Sequence, residues 1–271
     1  MDQIAFHTAS FFTDDGVRLN ILSAAPSDSA ASIRTPVLFI PGWCMPAEIW
    51  RDTLLALASR YPVFALDLRG QGNSEVPDTG YHIDRRADDI AQCIERIGNV
   101  VIVAWSLGAL EALHYVHRYS EAKLRGLVIV DSSVGEDPPI AQASQFREAL
   151  NRNRIAALEQ FIRAMFARPQ PPAWLADLTV RATQIPLEAS LALFPSHLPR
   201  EHWRGITRGL RAPLLYAITR QFANQAQNLR EARPSTQIEL FEEAGHALFI
   251  DEPKRFISSL NSFLHKLPAK A

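Results

Sequence analysis

Short runs of consecutive hydrophobic residues alternate with amphipathic segments along the first half of the chain. Four of these runs are rich in β-branched residues and are typical of strands buried on both faces of a parallel sheet: Pro36–Ile40, Val63–Leu66, Val100–Ala104 and Leu127–Val130. The segments between them carry hydrophobic residues at the i, i+3, i+4 spacing of a helix: Ala47–Arg60, Asp84–Ile97 and Leu107–Arg118. This alternation predicts βαβ units with right-handed crossovers.

A predicted hairpin precedes this alternation, and a long helical insertion follows it. The two hairpin strands, joined through an Asp-Gly turn, are expected at residues 4–12 and 17–24. Between about 136 and 211 the pattern is helical and polar, and prolines interrupt it. Strand patterns then resume, and an amphipathic helix follows them: Leu214–Ile218, Gln237–Phe241 and about Lys254–Lys266. We therefore predict an α/β core (1–135 and 212–271) interrupted by a helical cap (136–211).

The composition is that of an ordinary soluble globular protein and argues against several functional classes. Of the 271 residues, 47% are hydrophobic and 21% are charged, and the net charge is −1. Such a balance argues against a general binder of nucleic acid or of anionic membranes. The sequence contains neither a hydrophobic run of the ~18 residues that span a membrane nor a signal-peptide pattern at its start. We therefore expect a soluble cytoplasmic protein.

Cofactor and metal motifs are missing from the sequence. Cys44 and Cys93 do not have the spacing of zinc ligands and are expected to stay reduced. The glycine-rich segment Asp67–Ser74 lacks both common nucleotide-binding patterns. The chemistry is therefore expected to need no metal, nucleotide or redox cofactor.

The segment Val100–Gly108 (VVIVAWSLG) contains the most informative motif. A buried-strand pattern leads into a small-x-Ser-x-Gly turn and then into a helix pattern, which is the context of a nucleophile elbow at Ser106. The positions two before and two after the serine must be small. Gly108 meets this requirement, and Ala104 replaces the commoner glycine. The alternative is an ordinary helix N-cap serine, but strand, turn and helix together favour the nucleophile.

His246 is the candidate general base. It lies after the last predicted strand and before the last predicted helix, next to Gly245, where the backbone can turn. A loop at that end of the sheet would bring the imidazole over the Ser106 hydroxyl. Histidine is the side chain that most readily exchanges protons near neutrality. The other seven histidines of the chain lack such a context.

Four motifs give the chain a resemblance to the α/β-hydrolase fold over nearly its whole length: Pro41-Gly42-Trp43, Asp67–Ser74, Ala104–Gly108 and Ala244–Ala247. The chain is most similar to small cap-bearing carboxylesterases, including arylesterase/perhydrolase-like and pimeloyl carrier-protein methyl ester esterase-like enzymes. This resemblance implies a mostly parallel sheet of about eight strands flanked by helices, with a helical cap insertion. It also implies an oxyanion hole formed by the backbone N–H groups of Trp43 and Leu107. Pro41 takes the place of a histidine that is usual in that branch. That histidine generally has a structural role.

The acid that orients the histidine is missing from its commonest place. In this fold it usually follows the strand after the cap, yet no Asp or Glu occurs between Arg211 and Arg230. Asp131, at the end of the strand beside the nucleophile strand, is the predicted replacement, since some α/β-hydrolases carry their acid there. Its alternative role is to cap a local turn. Asn224 is a weaker substitute, and the acids flanking His246 are expected to cap or face solvent: Glu243, Asp251 and Glu252.

Aromatic residues and arginines of the cap suggest how a substrate or partner is bound. Trp105, Phe146 and Phe166 are candidate walls of a hydrophobic pocket for an uncharged small-molecule ester. The similar carrier-protein esterases dock an acidic acyl carrier protein on a basic cap, which here would use Arg147, Arg152, Arg154 and Arg163. The intervening Glu148 and Glu159 favour a mixed, solvated face instead.

These features predict a serine hydrolase that cleaves a carboxylic ester through an acyl-enzyme. C–C bond hydrolysis and perhydrolysis use the same serine elbow and stay open. A non-catalytic ligand-binding protein on this fold is a further alternative, because the usual acid position is empty and Pro41 is unusual. A haloalkane dehalogenase is disfavoured, since it needs a carboxylate where Ser106 lies.

Overall fold

The structure is a computed structural model and describes residues 6–25, 34–139 and 144–268. Its eight strands are β1 (His7–Phe12), β2 (Arg18–Ala24), β3 (Val37–Ile40), β4 (Val63–Asp67), β5 (Val100–Trp105), β6 (Leu124–Val130), β7 (Leu214–Ile218) and β8 (Gln237–Leu240). They form one sheet in the order β1-β2-β4-β3-β5-β6-β7-β8. The pairs β1–β2 and β2–β4 are antiparallel, and the remaining pairs are parallel. The predicted mostly parallel sheet is therefore confirmed.

Helices cover both faces of the sheet and also form the insertion after β6. Those outside the insertion are α1 (Arg51–Ala58), α2 (Ile83–Ile97), α3 (Leu107–Tyr119), α9 (Ala223–Ala232), α10 (Leu248–Asp251) and α11 (Pro253–Lys266). Those between β6 and β7 are α4 (Ser144–Arg152), α5 (Arg154–Ala164), α6 (Pro172–Ala182), α7 (Leu187–Ala192) and α8 (Arg200–Gly209). The single helix predicted over Ala47–Arg60 instead begins as a 3₁₀ turn at Ala47–Trp50 and continues as α1.

Alternate residues of the central strands point to opposite faces and build two cores. Phe39, Val101 and Val128 belong to the core shared with α1 and α11. Leu38, Ile102 and Leu127 belong to the core shared with α2, α3 and α9. Both faces of β5 are thus buried, which is why its sequence is a continuous hydrophobic run.

The insertion does not pack as one uniform layer. Hydrophobic residues of α5 and α6 join the core that contains Trp43 and Trp105. Helix α8 lies against α3, with Trp203 and Thr207 buried, and Trp203 joins the opposite core. The predicted boundaries of the cap stay a prediction. None of the helices in the described part of the chain combines the length and hydrophobicity needed to cross a bilayer.

Candidate active site

Ser106 lies at a strained turn between β5 and α3. Its backbone has φ 56° and ψ −124°, in a region that residues with a side chain rarely adopt. The turn is fixed because the Ser106 N–H donates to the carbonyl oxygen of Val130 at the end of β6, 3.0 Å away. The serine side chain is consequently projected from the carboxyl end of the sheet, as the elbow motif predicts.

Small residues around the turn allow the loop after β3 to pack against it. A Cβ atom on Gly108 would lie 2.4 Å from the carbonyl oxygen of Pro41, so a larger residue does not fit. A Cβ atom on Gly42 would lie 3.2 Å from the Cβ of Ser106. Ala104 is fully buried in β5, so its extra methyl group is packed within the core. The β3 loop and the serine turn are therefore in direct contact.

The structure brings together the three side chains that the sequence proposes for the chemistry. The Nε2 atom of His246 lies 2.9 Å from Ser106 Oγ, and its Nδ1 atom lies 2.7 Å from Asp131 Oδ2. The Asp131 side chain is 0% exposed and that of His246 is 23% exposed. Because the carboxylate accepts from Nδ1–H, the Nε2 lone pair is free to accept the Ser106 hydroxyl proton.

Asp131 is oriented by the loop in which the usual acid is missing. Its Oδ1 accepts the Thr219 N–H at 2.7 Å, and its Oδ2 also accepts from the Gln221 side chain at 3.2 Å. The Asp131 backbone is left-handed, with φ 41°, and its N–H donates to the Ala217 carbonyl at 2.8 Å. Asn224, the weaker substitute, is exposed on α9. The loop after β7 thus supplies donors to the acid rather than the acid itself.

Two titratable groups near the site stay neutral at physiological pH. Burial raises the pKa of the Cys44 thiol to about 12. Burial, and then the charge of Asp131, raise the pKa of the Tyr216 phenol well above its ordinary value. The Tyr216 hydroxyl donates to the Ser132 carbonyl at 2.6 Å. Tyr216 therefore adds no second negative charge close to the Asp131 carboxylate.

Leu107 and Trp43, the residues predicted to form an oxyanion hole, lie in the two segments that meet at the serine turn. Leu107 is the first residue of α3, and Trp43 follows Gly42 in the β3 loop. Gln71 holds this loop, since its side-chain amide donates to the carbonyls of Gly42 at 2.7 Å and Met45 at 3.0 Å. The first turn of a helix leaves its N–H groups without intrahelical partners, so the Leu107 amide suits an anion.

Of the three pocket candidates, Phe146 and Phe166 lie in the insertion and pack against other aromatic side chains. The Trp43 indole contacts Phe146, Phe161 and Phe194 at ring-centroid distances of 5.4–5.5 Å and donates to the Ser190 carbonyl at 2.6 Å. Phe166 packs against Trp174. Trp105, by contrast, is 1% exposed, and its indole donates to the His246 carbonyl at 2.9 Å. Trp105 is therefore a buried support of the histidine loop, and its ring lies 5.2 Å from that of His246.

The acids near His246 differ in their surroundings. Glu243 is exposed and pairs with Arg220, and Glu252 lies beside Arg255. Asp251 is 1% exposed and so does not face solvent, which was one of the two expectations for it. Its carboxylate accepts backbone N–H groups of two loops, which a single sequence does not reveal.

The cap arginines are not equivalent. Arg147, Arg152 and Arg163 are exposed. Arg154 is half-buried, and its guanidinium donates to the carbonyls of Ala182 (3.3 Å) and Ile185. It therefore joins α5 to the end of α6. No group of three or more acidic, histidine or cysteine side chains in the described ranges is arranged to hold a metal ion.

The strand order, the serine turn and the helical insertion after β6 define the class of α/β hydrolases. The chain belongs to the alpha/beta hydrolase family, whose sequence profile matches residues 37–259. It is 31% identical over 249 residues to a pimeloyl-[acyl-carrier protein] methyl ester esterase from Aeromonas hydrophila, covering 84% of this chain and 94% of the relative. An esterase from Exiguobacterium antarcticum shares the fold, with a TM-score of 0.82 at 20% identity and coverage of 95% and 99%.

A third relative aligns over a shorter stretch. The chain is 31% identical over 154 residues to a non-heme chloroperoxidase from Streptomyces lividans, which covers 52% of this chain and 54% of that protein. The alignment thus spans about half the length of this relative. The family includes esterases and proteins named as haloperoxidases, so membership alone leaves the reaction open.

Proposed function

We propose that the protein is a serine hydrolase that cleaves an uncharged carboxylic ester, with Ser106 as nucleophile, His246 as general base and Asp131 as acid. The chain of hydrogen bonds from Ser106 Oγ through His246 to Asp131, at 2.9 and 2.7 Å, is the observation that carries this proposal. The similarity to a methyl ester esterase, at 31% identity, supports the substrate class.

In the proposed reaction the Ser106 oxygen attacks the acyl carbon while His246 Nε2 takes the hydroxyl proton. Asp131 stabilises the imidazolium, and the N–H groups of Trp43 and Leu107 donate to the oxyanion of the tetrahedral intermediate. Collapse breaks the ester bond, and the leaving alkoxide takes the proton from His246. Water then attacks the acyl-enzyme and gives a proton to His246. The second tetrahedral intermediate collapses as His246 returns this proton to Ser106 Oγ, which releases the carboxylic acid and free Ser106.

A serine-directed fluorophosphonate probe tests the nucleophile and separates an enzyme from a non-catalytic binder. We expect the folded wild-type protein to be labelled at Ser106. Ser106→Ala should abolish labelling, whereas Ser133→Ala, a nearby serine after β6 whose hydroxyl donates to Gln225, should label normally. Absence of labelling in folded wild-type protein would reject the enzyme and favour the binding protein. A panel of esters varied in acyl and alcohol groups would then define the substrate.

Perhydrolysis is the second candidate, favoured by the similarity to a non-heme chloroperoxidase. In this reaction hydrogen peroxide replaces water as the nucleophile that attacks the acyl-enzyme, so the products are a peracid and free Ser106. Peracid formation from acetate ester and hydrogen peroxide, measured against ester hydrolysis without peroxide, separates the two. If peracid forms more slowly than the ester is hydrolysed at every peroxide concentration, perhydrolysis is rejected and ester hydrolysis is retained.

We further propose an acyl carrier protein as the carrier of the ester, because a relative is named for such a substrate. Exposed hydrophobic side chains lie on two insertion helices that contact each other, Ile155 of α5 at 58% and Val180 of α6 at 64%. Arg152, three residues before Ile155, is exposed at the end of α4. A hydrophobic spot bordered by a cation suits an acidic protein partner.

A charge reversal tests the carrier protein. Arg152→Glu should lower kcat/KM for a carrier-bound methyl ester several-fold at low salt while leaving a free p-nitrophenyl ester unaffected. Arg230→Glu, an exposed arginine on α9, is the matched control and should change neither rate. Equal rates of wild type and Arg152→Glu on the carrier-bound ester would argue for a free small-molecule substrate.

A further inference from the structure

Asp251 is a buried carboxylate that the proposed reaction does not use. It ends α10, five residues after His246, and is 1% exposed. Its Oδ2 accepts the N–H of Gly245 at 2.7 Å and of Ala167 at 2.8 Å, and its Oδ1 accepts the N–H of Arg168 at 3.2 Å. One of these donors lies in the loop that carries His246. The other two lie between α5 and α6, in the α5–α6 linker (165–171).

The linker also touches the histidine loop directly. The N–H of Ala247 donates to the carbonyl oxygen of Met165 at 2.8 Å. A Cβ atom on Gly245 would lie 2.6 Å from that same oxygen and 2.7 Å from the nitrogen of Ala167. The residues on both sides of His246 are therefore in contact with the linker, and glycine is required at 245 for this approach.

The linker is in turn fixed to the insertion helices. Phe166, in the linker, packs against Trp174 of α6 with ring centroids 5.4 Å apart. Met165 is 2% exposed and belongs to the hydrophobic core. A displacement of α5 or α6 would consequently be transmitted to the linker, and through Asp251 to the loop that carries His246.

We infer that Asp251 is a positioning residue, which clamps the α5–α6 linker onto the His246 loop and couples the imidazole to the insertion helices. This inference rests on the proposed function. A carboxylate suits this place because all three contacts are N–H donors and it presents only acceptors. An asparagine has one oxygen, so its NH₂ group would meet at least one of these donors and open the clamp.

Loss of the Asp251 contacts should slow the transfer of the Ser106 proton to His246 and leave the binding of the ester unchanged. The imidazole must stay within hydrogen-bond distance of Ser106 Oγ, now 2.9 Å away, to accept its proton. A displacement of about 1 Å lowers such a rate by roughly 10²-fold. A structural role alone would lower the stability of the fold and leave the kcat of the folded enzyme unchanged.

The test compares Asp251→Asn and Gly245→Ala with Glu136→Gln. Glu136 is a matched control, since it is also 1% exposed but its carboxylate pairs with Arg208 of α8 instead of with the histidine loop. For folded protein below its unfolding temperature, we expect both clamp variants to lower the fluorophosphonate labelling rate and the kcat for p-nitrophenyl acetate by about tenfold or more. The KM should change little, and Glu136→Gln should stay within about twofold of wild type.

Two results would overturn the inference: wild-type labelling and kcat in both folded clamp variants, or an equal loss in Glu136→Gln, which would show a general destabilisation. If Asp251→Asn does not fold, Gly245→Ala decides, because it keeps the carboxylate and pushes on the linker alone. Failure of the proposed function looks different. In that case wild-type protein is not labelled, and the inference falls with it.

Discussion

Replacing Asp131 by asparagine should reverse the hydrogen bonding of His246 without changing the shape of the site. The Thr219 N–H, 2.7 Å from Oδ1, is a fixed donor, so the amide oxygen of the variant must face it. The NH₂ group then takes the place of Oδ2 and points at His246 Nδ1, 2.7 Å away. Two donors cannot share that contact, so the imidazole must carry its proton on Nε2.

The expected loss follows from this change of tautomer. With Nε2 protonated, the imidazole presents a donor to Ser106 Oγ and no longer accepts its proton. The corresponding substitution in a serine protease lowers kcat by about 10⁴-fold. That factor corresponds to about 5 kcal/mol in the activation barrier. The free energy of unfolding should change much less than this, since the substitution keeps the volume of the side chain.

The assay is kcat for a p-nitrophenyl ester together with the fluorophosphonate labelling rate, on protein whose fold is checked by circular dichroism. Gln221→Ala is the matched control. It removes the longer contact to Asp131 Oδ2, at 3.2 Å, but leaves the carboxylate and its Thr219 donor in place. It should lower kcat by less than about tenfold. Turnover of Asp131→Asn within tenfold of wild type would refute the assignment of the acid.

Three further predictions concern the groups that support the site. Gly108→Ala should lower the free energy of unfolding by about 1–3 kcal/mol in urea titrations, because its Cβ would lie 2.4 Å from a carbonyl oxygen. Burial raises the pKa of Cys44 and of Cys93 to about 12, so both stay protonated thiols at pH 8 and should react with Ellman's reagent only after unfolding. Arg86→Ala should lower stability by about 3–5 kcal/mol, measured by denaturant titration, because it leaves the Glu111 carboxylate buried without its partner at 2.7 Å.

The strands could be predicted where hydrophobic runs are continuous. β7 has the predicted bounds Leu214–Ile218, and β3 begins one residue later than expected. β6 begins at Leu124, three residues before the predicted Leu127, because Arg125 and Gly126 interrupt the hydrophobic run. Pairing of Val101 with Gly126 continues the ladder there regardless of side-chain character. The hydrophobic pattern of a segment does not show which of its residues form backbone hydrogen bonds with a neighbouring strand.

The side chains that support the site could be predicted only in part. Strand ends placed Ser106 and Asp131 at one edge of a parallel sheet, because residues that follow adjacent parallel strands meet there. The hydrogen bonds of Gln221 to Asp131 and of Asp251 to the linker depend on loop conformations. Loops are held by tertiary contacts rather than by a repeating pattern, so a single sequence carries little information about them.

The distance along the chain between the grouped side chains bears on how the protein refolds. Ser106 and His246 are 140 residues apart in sequence, yet their side chains are in hydrogen-bond contact. Contacts of such long range carry a large entropic cost of loop closure, and proteins rich in them fold slowly. When the protein refolds after dilution from denaturant, its activity should therefore recover later than the circular dichroism signal of its helices. Activity reports that the ends of β5, β6 and β8 have come together, whereas the circular dichroism signal reports only that helices have formed.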